Sequence, residues 1–94
     1  MACDYPAIVK GRSSLGKKFE ENARVVNLSA TGIYVIVNCA VQDGSELAVK
    51  IDLPNGHLDL GTSKLATTGV VVRREPLSVG VYGVAVQIQR YRFL

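Results

Sequence analysis

A small antiparallel β-barrel, closed or nearly closed and built from six or seven short strands, is the all-β fold that this sequence predicts. Three observations predict it. The apolar residues are dominated by valine and other β-branched types, in runs such as Ile33-Tyr34-Val35-Ile36-Val37 and Val70-Val71-Val72, which suit a pleated surface better than a helix. Turn signals recur between these runs. No stretch shows a convincing amphipathic helical period, and closing the sheet solves the exposed-edge problem that so many short strands create.

Taken in order, strands are expected near residues 6–12, 18–28, 32–38, 46–53, 57–61, 64–74 and 81–89. Pro6-Ala7-Ile8-Val9 opens the first and Arg24-Val25-Val26 lies in the second. The turn Ser29-Ala30-Thr31-Gly32 leads into the apolar third strand, and Gln42-Asp43-Gly44-Ser45 separates it from the fourth. There Leu47, Val49, Ile51 and Leu53 share a core face while Lys50 and Asp52 take the other. Asn55-Gly56 reads as a tight hairpin because both residues tolerate positive φ. Glu75-Pro76-Leu77-Ser78 reads as a turn before the last run, where Tyr82, Val84, Val86 and Ile88 align and Gly83 marks a bend or a close backbone approach. The tail Gln89-Arg90-Tyr91-Arg92-Phe93-Leu94 is either an outgoing strand or the start of a helix.

The chain's 94 residues suffice for one domain, spanning 1–94. With 48% hydrophobic and 20% charged residues it has the composition of a folded chain. Its longest apolar run is strand-sized, far short of the roughly 20 residues that cross a bilayer. Met1-Ala2-Cys3-Asp4-Tyr5-Pro6 lacks the basic start and apolar stretch of a secretory signal, so a cytoplasmic address is expected. Cys3, Cys39 and the lone His57 cannot supply a zinc site, and the two cysteines read as free thiols without a function. Eleven Lys and Arg against eight Asp and Glu give +3, a modest bias toward anionic ligands. The basic residues fall into small groups: Lys10 with Arg12, Lys17 with Lys18, Arg73 with Arg74, and Arg90 with Arg92.

Asn27-Leu28-Ser29-Ala30-Thr31-Gly32 has the form N-x-S-x-x-G and sits between two β-runs. It is followed by Gly44-x-x-Leu47, Leu53-Pro54, Gly69-Val70-Val71-Val72-Arg73-Arg74-Glu75 and Tyr82-Gly83-Val84-Ala85-Val86. This ordered pattern, over roughly residues 23–89, resembles the PilZ domain family. The resemblance implies a six-stranded antiparallel barrel, often followed by a helix, and a bacterial regulatory module of the kind that often serves as a receptor for cyclic di-GMP. Asn27 then offers an amide to a purine edge and Ser29 a hydroxyl, while Gly32 would permit a positive φ where the chain turns into the next strand. In the local alternative, Asn27 and Ser29 simply bond neighbouring backbone groups.

Family members that bind the dinucleotide usually carry R-x-x-x-R in a loop ahead of the first strand, where guanidinium groups grip guanine and phosphate. This sequence contains no R-x-x-x-R. Pro6 to Val9 already looks like the first strand, so that loop would fall before Met1 or within Met1 to Tyr5. Affinity for the dinucleotide is expected to be reduced, and Arg73, Arg74 and Arg12 are the candidate substitutes. In a strand, Arg73 and Arg74 point to opposite faces.

Two further function classes compete with the receptor. A degenerate PilZ domain would bind a protein partner, or a fused effector domain, through a barrel face or exposed edge strand. A barrel binding single-stranded nucleic acid would use Arg90-Tyr91-Arg92-Phe93, but four Tyr, two Phe and no Trp make a thin stacking platform. No enzyme is expected: His57 lies beside a hairpin turn, Asp52 and Asp59 read as solubilising charges, and nothing identifies a cofactor. Valine-rich edges could also pair two copies of the chain.

Overall fold

The structure, a computed structural model, describes residues 2–54 and 62–94. Six strands are formed among these residues: β1 (Ala2–Arg12), β2 (Lys18–Leu28), β3 (Gly32–Val37), β4 (Glu46–Pro54), β5 (Thr62–Ser78) and β6 (Val81–Phe93). They close into one antiparallel barrel in the order β1-β2-β3-β6-β5-β4. The period-two alternation explains the closure. Every strand sends alternate residues inward, among them Val9 and Val25, then Val35 and Val49, then Val71 and Val84, all at most 1% exposed. Leu47 and Ile51 are the largest of the fully buried side chains. A narrow barrel interior suits this mostly medium-sized, β-branched filling. Thr67, the one buried polar side chain among the described residues, donates its hydroxyl to the Val49 carbonyl across β4 and β5 at 2.8 Å.

Expected and observed strands agree closely at β2, β3 and β4. The start of β1 is earlier than expected, and β6 continues to Phe93, so the tail is an outgoing strand. The expected strand at 57–61, with Asn55-Gly56, His57 and Asp59, lies outside the described residues.

One element requires correction. Glu75-Pro76-Leu77-Ser78 is not a turn but the end of β5, and the chain reverses at Val79-Gly80, where Gly80 takes φ 75°. The pairing with β4 ends at Val70, so among the described residues the outer edge of this stretch has no strand neighbour. An edge strand tolerates a proline, because no ladder hydrogen bond is required of its missing N–H.

The loop between β3 and β4 seals one side. Val41 is fully buried, the Gly44 N–H donates to the Val71 carbonyl at 2.7 Å, and the Val71 N–H donates to Ser45 at 2.9 Å. The β1–β2 turn is tied to the same loop through the Ser14 N–H on the Ala40 carbonyl, 2.8 Å. Two register shifts shape the outer face: β2 carries an extra residue at Val26 and β5 one at Val72. Bulges bend a strand and re-aim the residues beside them.

Candidate functional site

The bulge at Val26 places Asn27 on the outer surface, directly opposite Tyr34 of β3. Tyr34 is in turn paired with Ala85 of β6, and the bulge at Val72 brings Arg73 of β5 opposite Ala85. Asn27, Tyr34, Ala85 and Arg73 therefore form one cross-strand row over four neighbouring strands. With strands roughly 4.8 Å apart, the row runs about 14 Å along the curved sheet. The small side chain of Ala85 lowers the floor in front of Arg73. A groove of about 700 Å³ results, lined also by Ser29, Gly32, Glu75 and Gln87.

Ser29 builds the turn beside this groove. Its Oγ accepts the N–H of Gly32 at 3.1 Å and that of Thr31 at 3.4 Å, while its own N–H donates to the Gly32 carbonyl at 2.9 Å. The Thr31 carbonyl accepts the N–H of Ile88 at 2.9 Å, pinning the turn to β6. The motif serine thus holds local backbone groups, the usual work of Ser in a turn. Gly32 departs from expectation. It already belongs to the β3 ladder, opposite Gln87, and is not among the positive-φ glycines. An added Cβ would meet the Val86 carbonyl oxygen at 3.4 Å, an ordinary contact.

Sequence reasoning missed Tyr34 and Glu75. The Tyr34 hydroxyl donates to a Glu75 carboxylate oxygen across β6. The path is open because Gly83 lies beneath it, where a Cβ would collide with the tyrosine ring. The close approach expected at Gly83 is therefore an approach of a side chain. Alternation within Ile33-Tyr34-Val35 already puts Tyr34 on the outer face; its reach to Glu75 depends on pairings that sequence alone does not display. The hydrogen bond to Glu75, then burial and the negative charge of Glu75, raise the Tyr34 pKa above its ordinary value, with Arg73 opposing.

A raised pKa means that the folded state holds this proton more tightly. The stability it contributes is complete below the unfolded value near 10 and is lost as pH rises through the folded value. Ultraviolet titration of the tyrosines should show this directly. Glu75→Gln is expected to shift one alkaline transition downward, and superimposable curves would disprove the coupling.

The other candidates lie elsewhere. Arg74 is exposed, paired in register with Val84, and does not line the groove. Arg12 is the last residue of β1, paired with Lys18 at the end of β2 away from the motif turn, and its guanidinium donates to the Gly16 carbonyl at 2.9 Å. Arg24 is engaged by Asp4 through two contacts of 2.9 and 3.0 Å. Among the described residues no three His, Cys, Asp or Glu side chains gather as a metal site, and no helix is long and apolar enough to cross a membrane.

Comparison with protein families matches residues 2–92 to the PilZ domain. The chain belongs to the PilZ domain family. PilZ domains are binding or regulatory modules rather than enzymes, and the family is known as a receptor module for cyclic di-GMP. No match was found among curated proteins or among solved structures. The closed six-stranded barrel agrees with a PilZ fold, and the N-x-S-x-x-G segment of this PilZ domain forms the β2–β3 turn that borders the groove.

Proposed function

We propose that this PilZ domain is a regulatory module of bacterial cytoplasmic second-messenger signalling, and that its β2–β3–β6–β5 groove takes cyclic di-GMP. The observation that carries the reading is the row Asn27–Tyr34–Ala85–Arg73. It joins the motif turn to a guanidinium contributed from 46 residues further along the chain, across an alanine floor. Arg73 offers a planar fork that fits either a phosphate or the O6/N7 edge of guanine. The Asn27 amide supplies donor and acceptor groups for a base edge. Glu75, beside Arg73, can accept the N–H groups of guanine. Arg12 and Arg74 lie outside this groove and take no part.

Isothermal titration with cyclic di-GMP tests the reading, using the wild-type chain, Arg73→Ala and Ala85→Leu. The alanine variant is expected to weaken binding by about tenfold or more, since hydrogen bonds to a charged partner contribute about 1.5–3 kcal/mol. Ala85→Leu fills the floor from outside the core and is expected to abolish binding while the chain remains folded.

A second reading, a PilZ domain that has turned from nucleotide to protein recognition, is favoured by the charge of the groove. Arg73 is the one guanidinium lining it among the described residues, and the Glu75 carboxylate lies alongside. No heat with the dinucleotide, at low or moderate salt, would select this second reading.

A further inference from the structure

The excess positive charge lies on a different face. Outward-facing residues of β1, β4, β5 and β6 fall into register there. Ile8 is opposite Lys50, Lys50 opposite Ala66, and Ala66 opposite Arg92. One step along the strands, Lys10 is opposite Ala48, Ala48 opposite Thr68, and Thr68 opposite Arg90. Two parallel rows thus place Lys10 and Lys50 on one side and Arg90 and Arg92 on the other, with small side chains between. The trough they line has a volume of about 530 Å³, and among the described residues no carboxylate lines it.

Few nearby groups compete for these charges. Lys10 has a loose, exposed contact with Glu20 at 3.7 Å, of a kind that contributes little. Asp52, one step further along β4, is held by Lys64 at 2.7 Å. Among the described residues, Lys50, Arg90 and Arg92 form no ion pair within the chain. Four cations around a shallow, partly apolar floor create a focused positive field.

We infer that this trough is a docking surface for an extended acidic segment of a partner protein, distinct from the groove at the N-x-S-x-x-G turn. Geometry favours an acidic peptide over nucleic acid. Single-stranded nucleic acid relies on aromatic rings on which bases stack. Here one aromatic ring, that of Tyr91, borders the trough among the described residues, and it packs edge-on against Phe93 with centroids 6.3 Å apart, so no run of rings is offered to successive bases. The basic face itself presents Ala48, Ala66, Ile8 and Thr68 between its charges.

The spacing suits a chain in extended conformation. Measured along the curved sheet, Lys10 and Arg90 are three strands apart, about 14 Å, and Lys50 and Arg92 two strands apart, about 10 Å. Carboxylates on alternate residues of an extended peptide repeat every ~7 Å, so every second or fourth residue falls within reach of these flexible cations. Guanidinium groups can grip carboxylates bidentately, and the alanine floor lets the peptide backbone lie close.

Fluorescence anisotropy with a labelled peptide of about eight alternating Glu and Ala residues, at about 50 mM and about 300 mM salt, tests the inference. Binding is expected at the lower salt and much weaker binding at the higher. Arg90→Glu combined with Arg92→Glu, and separately Lys50→Glu, should each weaken binding by about tenfold or more. Lys17→Glu combined with Lys18→Glu makes the same change in net charge as the arginine pair and should change affinity less than about twofold. Absence of binding at low salt, or equal loss in the two double variants, would overturn the proposal. So would tighter binding of a labelled oligo-dT through the same residues, which would make the trough a nucleic-acid site.

Discussion

Replacing Gly69 with valine is expected to destabilise the barrel by about 3 kcal/mol or more, at the upper end of the range for overpacked interiors. Gly69 lies in β5 opposite Ile88, next to a register shift between the two strands. A Cβ at this position would run into the carbonyl oxygen of Gln87, lie 2.8 Å from the Val86 side chain and 3.0 Å from the Gln87 carbonyl carbon. Most of the obstruction is backbone, so no rotamer change relieves it and β6 itself must move. Its freedom to do so is small, because Val86 and Gln87 are paired on their other side with Ile33 and Gly32. The Ile88 N–H also holds the Thr31 carbonyl. Displacing β6 therefore disturbs the β2–β3 turn and the groove along with the ladder. In a domain of this size each kcal/mol lowers the melting temperature by about 4–8 °C, so a fall of well over 10 °C is the expected reading. Gly32→Ala, whose new methyl meets only an ordinary contact, serves as the control. A fall of only a few degrees for Gly69→Val would mean that β6 can slide away from β5.

Much of this fold was legible because side-chain alternation is a direct image of burial. Leu47, Val49 and Ile51 read as one face, and all three are core. Where two solvent-facing sides or an unpaired edge remove that constraint, the reading failed. Beyond Val70, β5 projects with β6 as its only ladder partner among the described residues, so residues 72–78 are exposed on both faces. Exposed residues carry no alternation, and Glu75-Pro76-Leu77-Ser78 consequently resembled a turn.

The candidate site shows the same division. Asn27, Ser29 and Gly32 were visible because they are close in sequence and form a recurrent pattern. Arg73 was one of three arginines that sequence could not rank, since its position in the groove depends on the bulge at Val72. Tyr34 and Glu75 were invisible as a pair: their contact spans two strand pairings and needs the vacancy above Gly83. Register, rather than residue type, decides each of these cases.

Truncating Ile51 to alanine is expected to be the most damaging change made purely by removing atoms, with a loss of about 2–5 kcal/mol. Its side chain is fully buried, and the surrounding core is largely valine and alanine. Short, β-branched neighbours have few rotamers with which to fill a gap, and a closed barrel cannot draw its walls together without changing registers on both sides of β4. Ile51 is paired with Ala7 on one side and Leu65 on the other, so relaxation at one ladder strains the other. Domains of this kind are stable by only about 5–15 kcal/mol in total, and the variant should unfold at far lower denaturant than the wild type. Ile51→Val, which removes one methylene, should cost about 0.5–1.5 kcal/mol. Equilibrium urea unfolding of both variants separates two accounts of the core. A steep rise from the valine to the alanine variant is the signature of a residual cavity in a rigid barrel. An alanine variant losing less than about 1.5 kcal/mol, below the usual range for such truncations, would show instead that the ladders around β4 yield, and with them Lys50 and the basic trough it helps to line.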